Sequence, residues 1–390
     1  MAPASVTLIH RPARAVLVCL TLGAVAAMAW SVRTAGASSL VGAYACLPRD
    51  QLREARRCPD LGPGGEVERR ARDGEFDHPL PTRRADPELS YVPFSYLRIK
   101  EDGGSLYPSA DAAASGSGAT DSLPSGFVFL SYSVAMEVSG QTVYATGRGF
   151  VRGDGVTEIT PVGFRGLTFS RSPDRSFGWI VSGTFTQREP GGAEDWVDHW
   201  LPLRTLVTIR DSVQVDGETW YEVAPGEWVK GTLVGVVTAD PTPPEGVDGD
   251  RWIRVNLYEQ TLEAYQGGQL VFATLTSTGR YGYWTQPGLF KVWIKLERDL
   301  MTGGVSGPDG GNYYYLEDVP WVLYFDQSRG LHGTYWHGRF GTSTSRGCVN
   351  LSPADAHWIY NFAEVDTWVY VWDPSGETPT DPALYGSGGA

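Results

Sequence analysis

From Tyr91 to Asp373 the chain is a succession of short β-branched and aromatic runs broken by glycine, proline and aspartate, and that pattern restricts it to a mainly β architecture. "FVFLSYSVAM" (Phe127–Met136), "QTVYATGRGFV" (Gln141–Val151) and "FGWIVSGTFTQ" (Phe177–Gln187) each have strand length and strand composition. Within "LVTIRDSVQVDGETWYEVAPGEWVKGTLVGVV" (206–237), Asp216–Gly217 marks a hairpin, because both residue types tolerate the positive φ of a two-residue turn. "RWIRVNLYEQTLEAYQ" (251–266) alternates apolar and polar residues and puts Ile253, Val255 and Leu257 on one face. The clearest helix is "SPADAHWIYNFA" (352–363). Ser352 can cap it, Pro353 suits its first position, and Asp355 complements its N-terminal dipole.

The 390 residues suffice for two or three domains. Arg11 and Arg14 precede an apolar run, Ala15–Ala29, ending in small residues. Residues 1–32 therefore read as a secretory signal cleaved after Ala29 or, extended through Val32, as an uncleaved anchor. Either reading implies export to the periplasm or cell wall, with membrane contact only through that segment. Residues 33–88, rich in Arg, Asp, Pro and Gly, read as a linker. Residues 89–240 form a β-rich accessory region, in which the low-complexity run Ala110–Ser122 is expected to be a mobile loop. "ADPTPPEGVDGD" (239–250) is the best domain boundary. It leads to a C-terminal domain at 250–374 and a flexible tail at 375–390. The net charge is −13 with no basic stripe, which argues against nucleic-acid binding. Of the four cysteines, Cys19 lies in the apolar run. Cys46 and Cys58 either pair in an oxidising compartment or remain free thiols. Cys348 is left without a partner, which flags a reactive thiol.

Chemistry concentrates in "LHGTYWHGRFGTSTSRGCVNLSPADAHW" (331–358), which holds Cys348 and three of the chain's six histidines. Arg346 beside Cys348 favours the thiolate. Gly347 admits close backbone approach, and the surrounding turn can aim amides at an oxyanion. The polar "TSTSRGC" is unlike the setting of a buried structural cysteine. A nucleophilic thiol needs a base. His332, at a strand end before Gly333, and His337, among Tyr335 and Trp336, are both candidates that spacing alone leaves open. His357 reads as a helix-surface or packing residue. The spacing of Cys348, His332 and His337 matches no zinc motif, so neither metal nor cofactor is assigned. "GGVSGPDGG" (303–311) lacks the features of a phosphate loop and reads as a lid or hairpin end. Tyr313, Tyr314 and Tyr315 read as strand residues, and "EDWVDHW" (194–200) as a solvated loop.

"HGTYWHGRFGTSTSRGCVN" resembles the signature of the L,D-transpeptidases of YkuD type, with Ser345, Gly347, Cys348, Val349 and Asn350 matching position by position. The resemblance extends over about Arg251 to Trp372. It implies a β-sandwich-like catalytic domain with a short helix, preceded here by a small all-β region. That region is similar around "GETWYEVAPGEWVKGT" (217–232) to bacterial SH3-type wall-binding modules. By resemblance His332 is the base, with its ring oriented by the Gly333 carbonyl. Amides near Gly347 and Cys348, with the Ser345 hydroxyl, hold the oxyanion. Asn350, His337 and Arg346 are assigned to substrate; Arg346 departs from the family's usual histidine. The implied partners are peptidoglycan tetrapeptide stems. Cys348 forms a thioester, terminal D-Ala leaves, and a neighbouring stem's amine completes a 3→3 cross-link. Water as acceptor would make the enzyme an L,D-carboxypeptidase, and a protein amine an anchoring transpeptidase. A non-catalytic wall-binding protein is the competing class.

Overall fold

The structure is a computed structural model describing residues 43–44, 80–192, 196–304 and 313–385. The N-terminal apolar run, Cys46, Cys58 and most of the expected linker lie outside the described residues. The rest is mainly β, as the sequence pattern requires.

Two sheets face each other in the C-terminal domain. One has seven strands in the order Thr82–Arg83, Leu167–Phe169, Gln269–Leu275, Thr261–Gln266, Arg251–Asn256, Trp368–Trp372 and Gly288–Lys291. Ile253, Val255, Leu262, Ala264, Val369 and Val371 enter one core from it. Leu323, Phe325, Leu331, Val349 and Leu351 enter from the opposing sheet, and Ala356, Ile359 and Phe362 from the Pro353–Phe362 helix. Leu257 packs against this core, so the face read from the alternation is the inner one. The other face is buried too. Trp252 and Tyr265 stack there, centroids 4.3 Å apart, and join Phe177, Trp179 and Val237 of the accessory region in a second core.

The helix starts as its sequence demands, with the Asp355 amide donating to Ser352 Oγ at 3.1 Å. Asp355 is itself buried. Its carboxylate accepts from Thr274 Oγ1 (2.6 Å) and the Gly166 amide (2.8 Å), tying the helix to the seven-stranded sheet. Burial pushes that carboxyl up to about 6.

The opposing sheet is continuous with the accessory region. Strand Tyr314–Asp326 pairs antiparallel with Ile294–Gly303 and Arg329–Gly333, and parallel with Phe127–Val138, Leu316 lying opposite Phe129. Farther along the chain, Phe177–Ile180 lies between Leu206–Thr208 and Val234–Val237. A five-stranded sheet spans Thr184–Lys230. Its Val215↔Glu218 pair closes on Asp216 (φ 51°) and Gly217 (φ 82°), the hairpin turn expected there. The Val236 amide donates to Glu259 Oε2 at 2.8 Å, fastening strand Val234–Val237 to the turn before Thr261–Gln266.

Several local expectations differ from the structure. The expected loop 110–122 contains a helix, Ala110–Ser115, and a strand, Asp121–Leu123. Alanine is the best helix former, Ser109 Oγ caps the Ala112 amide, and Gly116 (φ 67°) ends the helix left-handed. The stretch read as a solvated loop supplies strand Trp196–Leu201. Thr82–Arg83, at the end of the linker, forms a strand against Leu167–Phe169. Of the tail, Tyr385 is buried against Arg329.

Candidate active site

Cys348 and His332 come together through one strand pairing. Strand Arg329–Gly333 runs parallel to Val349–Leu351, with Leu331 opposite Val349 and His332 opposite Asn350. Leu331 and Val349 point into the core. His332, Asn350 and Cys348, which immediately precedes the strand, therefore share the other face. Strand spacing and rise put the Cα atoms of Cys348 and His332 roughly 8 Å apart, a distance two facing side chains span.

The imidazole of His332 is fully buried, and burial lowers its pKa to about 4, so it is neutral at neutral pH. Nδ1 lies 3.3 Å from the Gly333 carbonyl oxygen, with Thr334 Oγ1 at 3.5 Å. A carbonyl only accepts, so the proton sits on Nδ1 and Nε2 carries the free lone pair. Gly333 is held tightly. A Cβ there would come within 2.9 Å of Pro320 Cγ and 3.1 Å of the Pro320 carbonyl oxygen. No other residue lets the strand pass so close while presenting that carbonyl.

His337 is differently engaged. The Arg339 amide donates to its Nδ1 at 3.1 Å, which leaves the neutral ring's proton on Nε2. Nε2 lies 2.9 Å from the Asn350 carboxamide, and matching donor with acceptor requires the amide oxygen to face the ring. Both ring nitrogens are thus occupied. Burial lowers this imidazole to about 4 as well. His357 stacks on Trp321 at 3.9 Å, the packing one of the two settings read for it.

The Cys348 thiol is buried, and burial pushes it up to about 11 against the lowering effects of the Gly330 amide and the Arg329 guanidinium. Sγ lies 3.7 Å from the Ser328 carbonyl oxygen. Thiol and imidazole are therefore both uncharged at rest. The polar sequence around Cys348 argues against a buried cysteine, yet Cys348 is buried; the turn is polar because it is internally hydrogen-bonded. Ser345 Oγ donates to the Cys348 carbonyl (2.5 Å) and accepts from the Gly347 amide (3.1 Å). Its single proton and the Gly347 amide are engaged in bracing the turn, which differs from the oxyanion role expected of them. Thr285 Oγ1 donates to the Gly347 carbonyl at 2.8 Å. Gly347 has φ +118°, a conformation that suits only glycine.

Arg346 lies over the Tyr314 ring at 4.7 Å and within 5.9 Å of the Tyr283 ring. An ionised Cys348 would push both Tyr314 and Tyr324 up, so this hairpin strand borders the site. Sequence reasoning missed Ser328, Arg329 and Gly330, since "QSRG" reads as an ordinary turn with no chemical motif. Among the described residues no group of three or more His, Cys, Asp or Glu side chains converges as metal ligands do.

Residues 250–371 match the family model for the L,D-transpeptidase catalytic domain, YkuD. L,D-transpeptidase 2 of Mycobacterium tuberculosis (strain CDC 1551 / Oshkosh) is 30% identical over 115 residues, 28% of either chain. The protein thus spans little more than a quarter of that curated relative. Among solved structures, an L,D-transpeptidase from Stackebrandtia nassauensis is 28% identical, with 34% of this chain and 59% of that one covered and a TM-score of 0.25. The Enterococcus faecium L,D-transpeptidase catalytic domain acylated by ertapenem is 27% identical over 33% of this chain and 100% of its own, with a TM-score of 0.29. The assignment of the domain rests on the family match and the sequence relative.

Proposed function

Residues 250–371 form an L,D-transpeptidase catalytic domain of YkuD type, and from that premise we propose that the protein is an exported cell-wall enzyme making 3→3 peptidoglycan cross-links through a Cys348 thioester. One observation carries the assignment of roles. Of the two histidines near the thiol, His337 has both nitrogens engaged, whereas His332 has Nδ1 turned to the Gly333 carbonyl and Nε2 left to accept a proton.

In this reading the thiol turns from the Ser328 carbonyl toward His332. Sγ attacks the carbonyl carbon of the third stem residue while its proton passes to Nε2. The Cys348 amide is the oxyanion donor we assign, because Ser345 and the Gly347 amide are committed to the turn. Collapse breaks the bond to terminal D-Ala, whose nitrogen takes the proton from His332. The amine of a second stem then attacks the thioester, loses its proton to Nε2, and Cys348 leaves as thiol. The Gly333 carbonyl fixes the ring tautomer throughout, as a carboxylate would but without its charge. Arg346, positioned by the Tyr314 and Tyr283 rings, is assigned to the carboxylates of the stem. The E. faecium domain's acylation by ertapenem carries over as a second expectation, that a carbapenem acylates Cys348.

Incubation of the soluble chain with disaccharide-tetrapeptides tests the reading. Mass spectrometry should find dimers with the mass of two tetrapeptides less one D-Ala, one water lighter than a hydrolysed tripeptide and a tetrapeptide together. Tripeptide monomers alone would make water the acceptor, and unchanged tetrapeptides in a folded protein would contradict the assignment.

A further inference from the structure

Arg329 is the strongest feature near Cys348 that neither motif nor comparison assigns. It begins the strand that carries His332, directly after the turn at Gln327 (φ 51°) and Ser328. It is only 2% exposed, unusual for an arginine. Its guanidinium is fastened along one edge: Nη1 donates to Asp326 Oδ2 at 2.7 Å, Nη2 donates to the Tyr385 carbonyl, and the group lies 5.2 Å over the Tyr385 ring. The opposite edge faces the nucleophile's turn. A Cβ on Gly347 would lie 3.1 Å from Arg329 Nε and 3.3 Å from its Cδ. That Nε is buried and has no hydrogen-bond partner. An orphaned buried donor is costly unless some state of the protein supplies its acceptor.

Tyr385 reaches Arg329 through a strap with its own order. Asp373 Oδ1 accepts from the Ser375 amide (2.9 Å), Asp373 Oδ2 from the Thr378 amide (2.8 Å), and Asp381 Oδ1 from the Ala383 amide (2.9 Å). The Tyr385 hydroxyl donates to the Pro379 carbonyl.

We propose that Arg329 is a positioning residue for the Cys348 nucleophile, its Nε–H being the donor that the thiolate meets as it forms, and that the strap 374–385 belongs to the active site because the Tyr385 carbonyl holds the guanidinium in place. Asp326 and Tyr385 occupy the edge away from Gly347, so the carboxylate anchors the cation and offsets only part of its pull on the sulfur. The other charged or titratable groups facing Cys348 are Arg346 in the same turn, Tyr314 and Tyr324 from the hairpin strand, and His332 on the adjoining strand. Burial pushes both tyrosines up, so they stay uncharged from pH 7 to 10; neutral His332 adds no charge, and Arg346 is held over tyrosine rings. Arg329 is the buried cation on the Gly347 side. The inference rests on Cys348 being the nucleophile, but its test needs no transpeptidation.

The experiment is iodoacetamide alkylation of the full chain between pH 7 and 10, followed at the Cys348 peptide by mass spectrometry, with thermal melts alongside. Arg329→Met should slow alkylation at pH 8 by about 10-fold or more, the effect of an opposite charge on a neighbouring acid. Arg329→Lys should recover most of that rate, which a purely structural role would not allow. A chain stopped after Gly376 should also alkylate more slowly. Wild-type rates in folded Arg329→Met would overturn the role of Arg329. A truncated chain alkylated as fast as wild type, or faster, would overturn the role of the strap. If Arg329→Met does not fold, Arg329→Gln takes its place, and wild-type alkylation rates in folded Arg329→Gln refute the role of Arg329. Normal alkylation behaviour with no thioester from muropeptides would refute the proposed function and leave the role of Arg329 standing.

Discussion

Replacing His332 by alanine separates it from His337 in both kinetics and stability. With its pKa at about 4, His332 is almost wholly neutral at pH 7 and available as a base. General-base assistance is worth about 10²–10⁴-fold, or roughly 3–5 kcal/mol of barrier, so His332→Ala should slow acylation by that range. Stability moves in the opposite sense in acid. The folded pKa lies below the ordinary value of 6.5, so the unfolded chain binds more protons between the two, and wild-type stability falls as pH drops from 6.5 toward 4. The full difference of 2.5 pH units corresponds to on the order of 3 kcal/mol, a share that His332→Ala escapes while the like share from His337, also lowered to about 4, remains. His337→Ala instead removes the partner of the Arg339 amide and of Asn350. It should cost about 1–3 kcal/mol of stability at pH 7 and slow acylation less. The assay is acylation by a carbapenem, followed by intact mass from pH 5 to 9, with melts at each pH. If His337→Ala removes the base-dependent step and His332→Ala does not, the reasoning from ring tautomers is wrong.

Gly347→Ala forces a side chain onto φ +118° and against Arg329, so it should lower both melting temperature and acylation rate; about 1–3 kcal/mol of strain is at stake, and an unchanged melt would refute it. Glu259 is raised to about 7 by burial, so the folded chain binds more protons than the unfolded one between about pH 4.5 and 7, and stability is lost as pH rises through that window. Glu259→Gln keeps an acceptor for the Val236 amide; it should stabilise by about 1–3 kcal/mol at pH 8 and not at pH 4.5, as read by melts at the two pH values. Because thiol and imidazole are both neutral at rest, Cys348 alkylation should rise steadily from pH 7 to 10; a plateau starting near pH 7 would mean a preformed thiolate–imidazolium pair.

The sequence was most readable where local chemistry and tertiary structure demand the same residue. Ile253 and Val255 alternate because their strand faces a core, and Ser352–Pro353 starts a helix because cap and first turn need those types. The site was readable as a motif, since His332 and Cys348 sit at fixed places beside adjoining strands. Contacts between distant segments were not readable. Arg329 gains its setting from Asp326, three residues before it, and from Tyr385, 56 residues away, and the distant partner is not signalled locally. The burial of Cys348 was hidden for a similar reason: Ser345 and Thr285 satisfy its polar turn internally. Ala110–Ser115 has the low complexity of a loop, but alanine's helix propensity decides its structure.

The central claim is that Cys348 carries the acyl group. Intact-mass spectrometry of the wild-type soluble chain, mixed with a tetrapeptide stem lacking an acceptor amine and quenched in acid, tests it most directly. The account predicts an adduct equal to the stem less D-Ala, mapped to Cys348, labile to hydroxylamine, and missing from a folded Cys348→Ala variant. An adduct on another residue, or none while Cys348 is reduced and the protein folded, would contradict it.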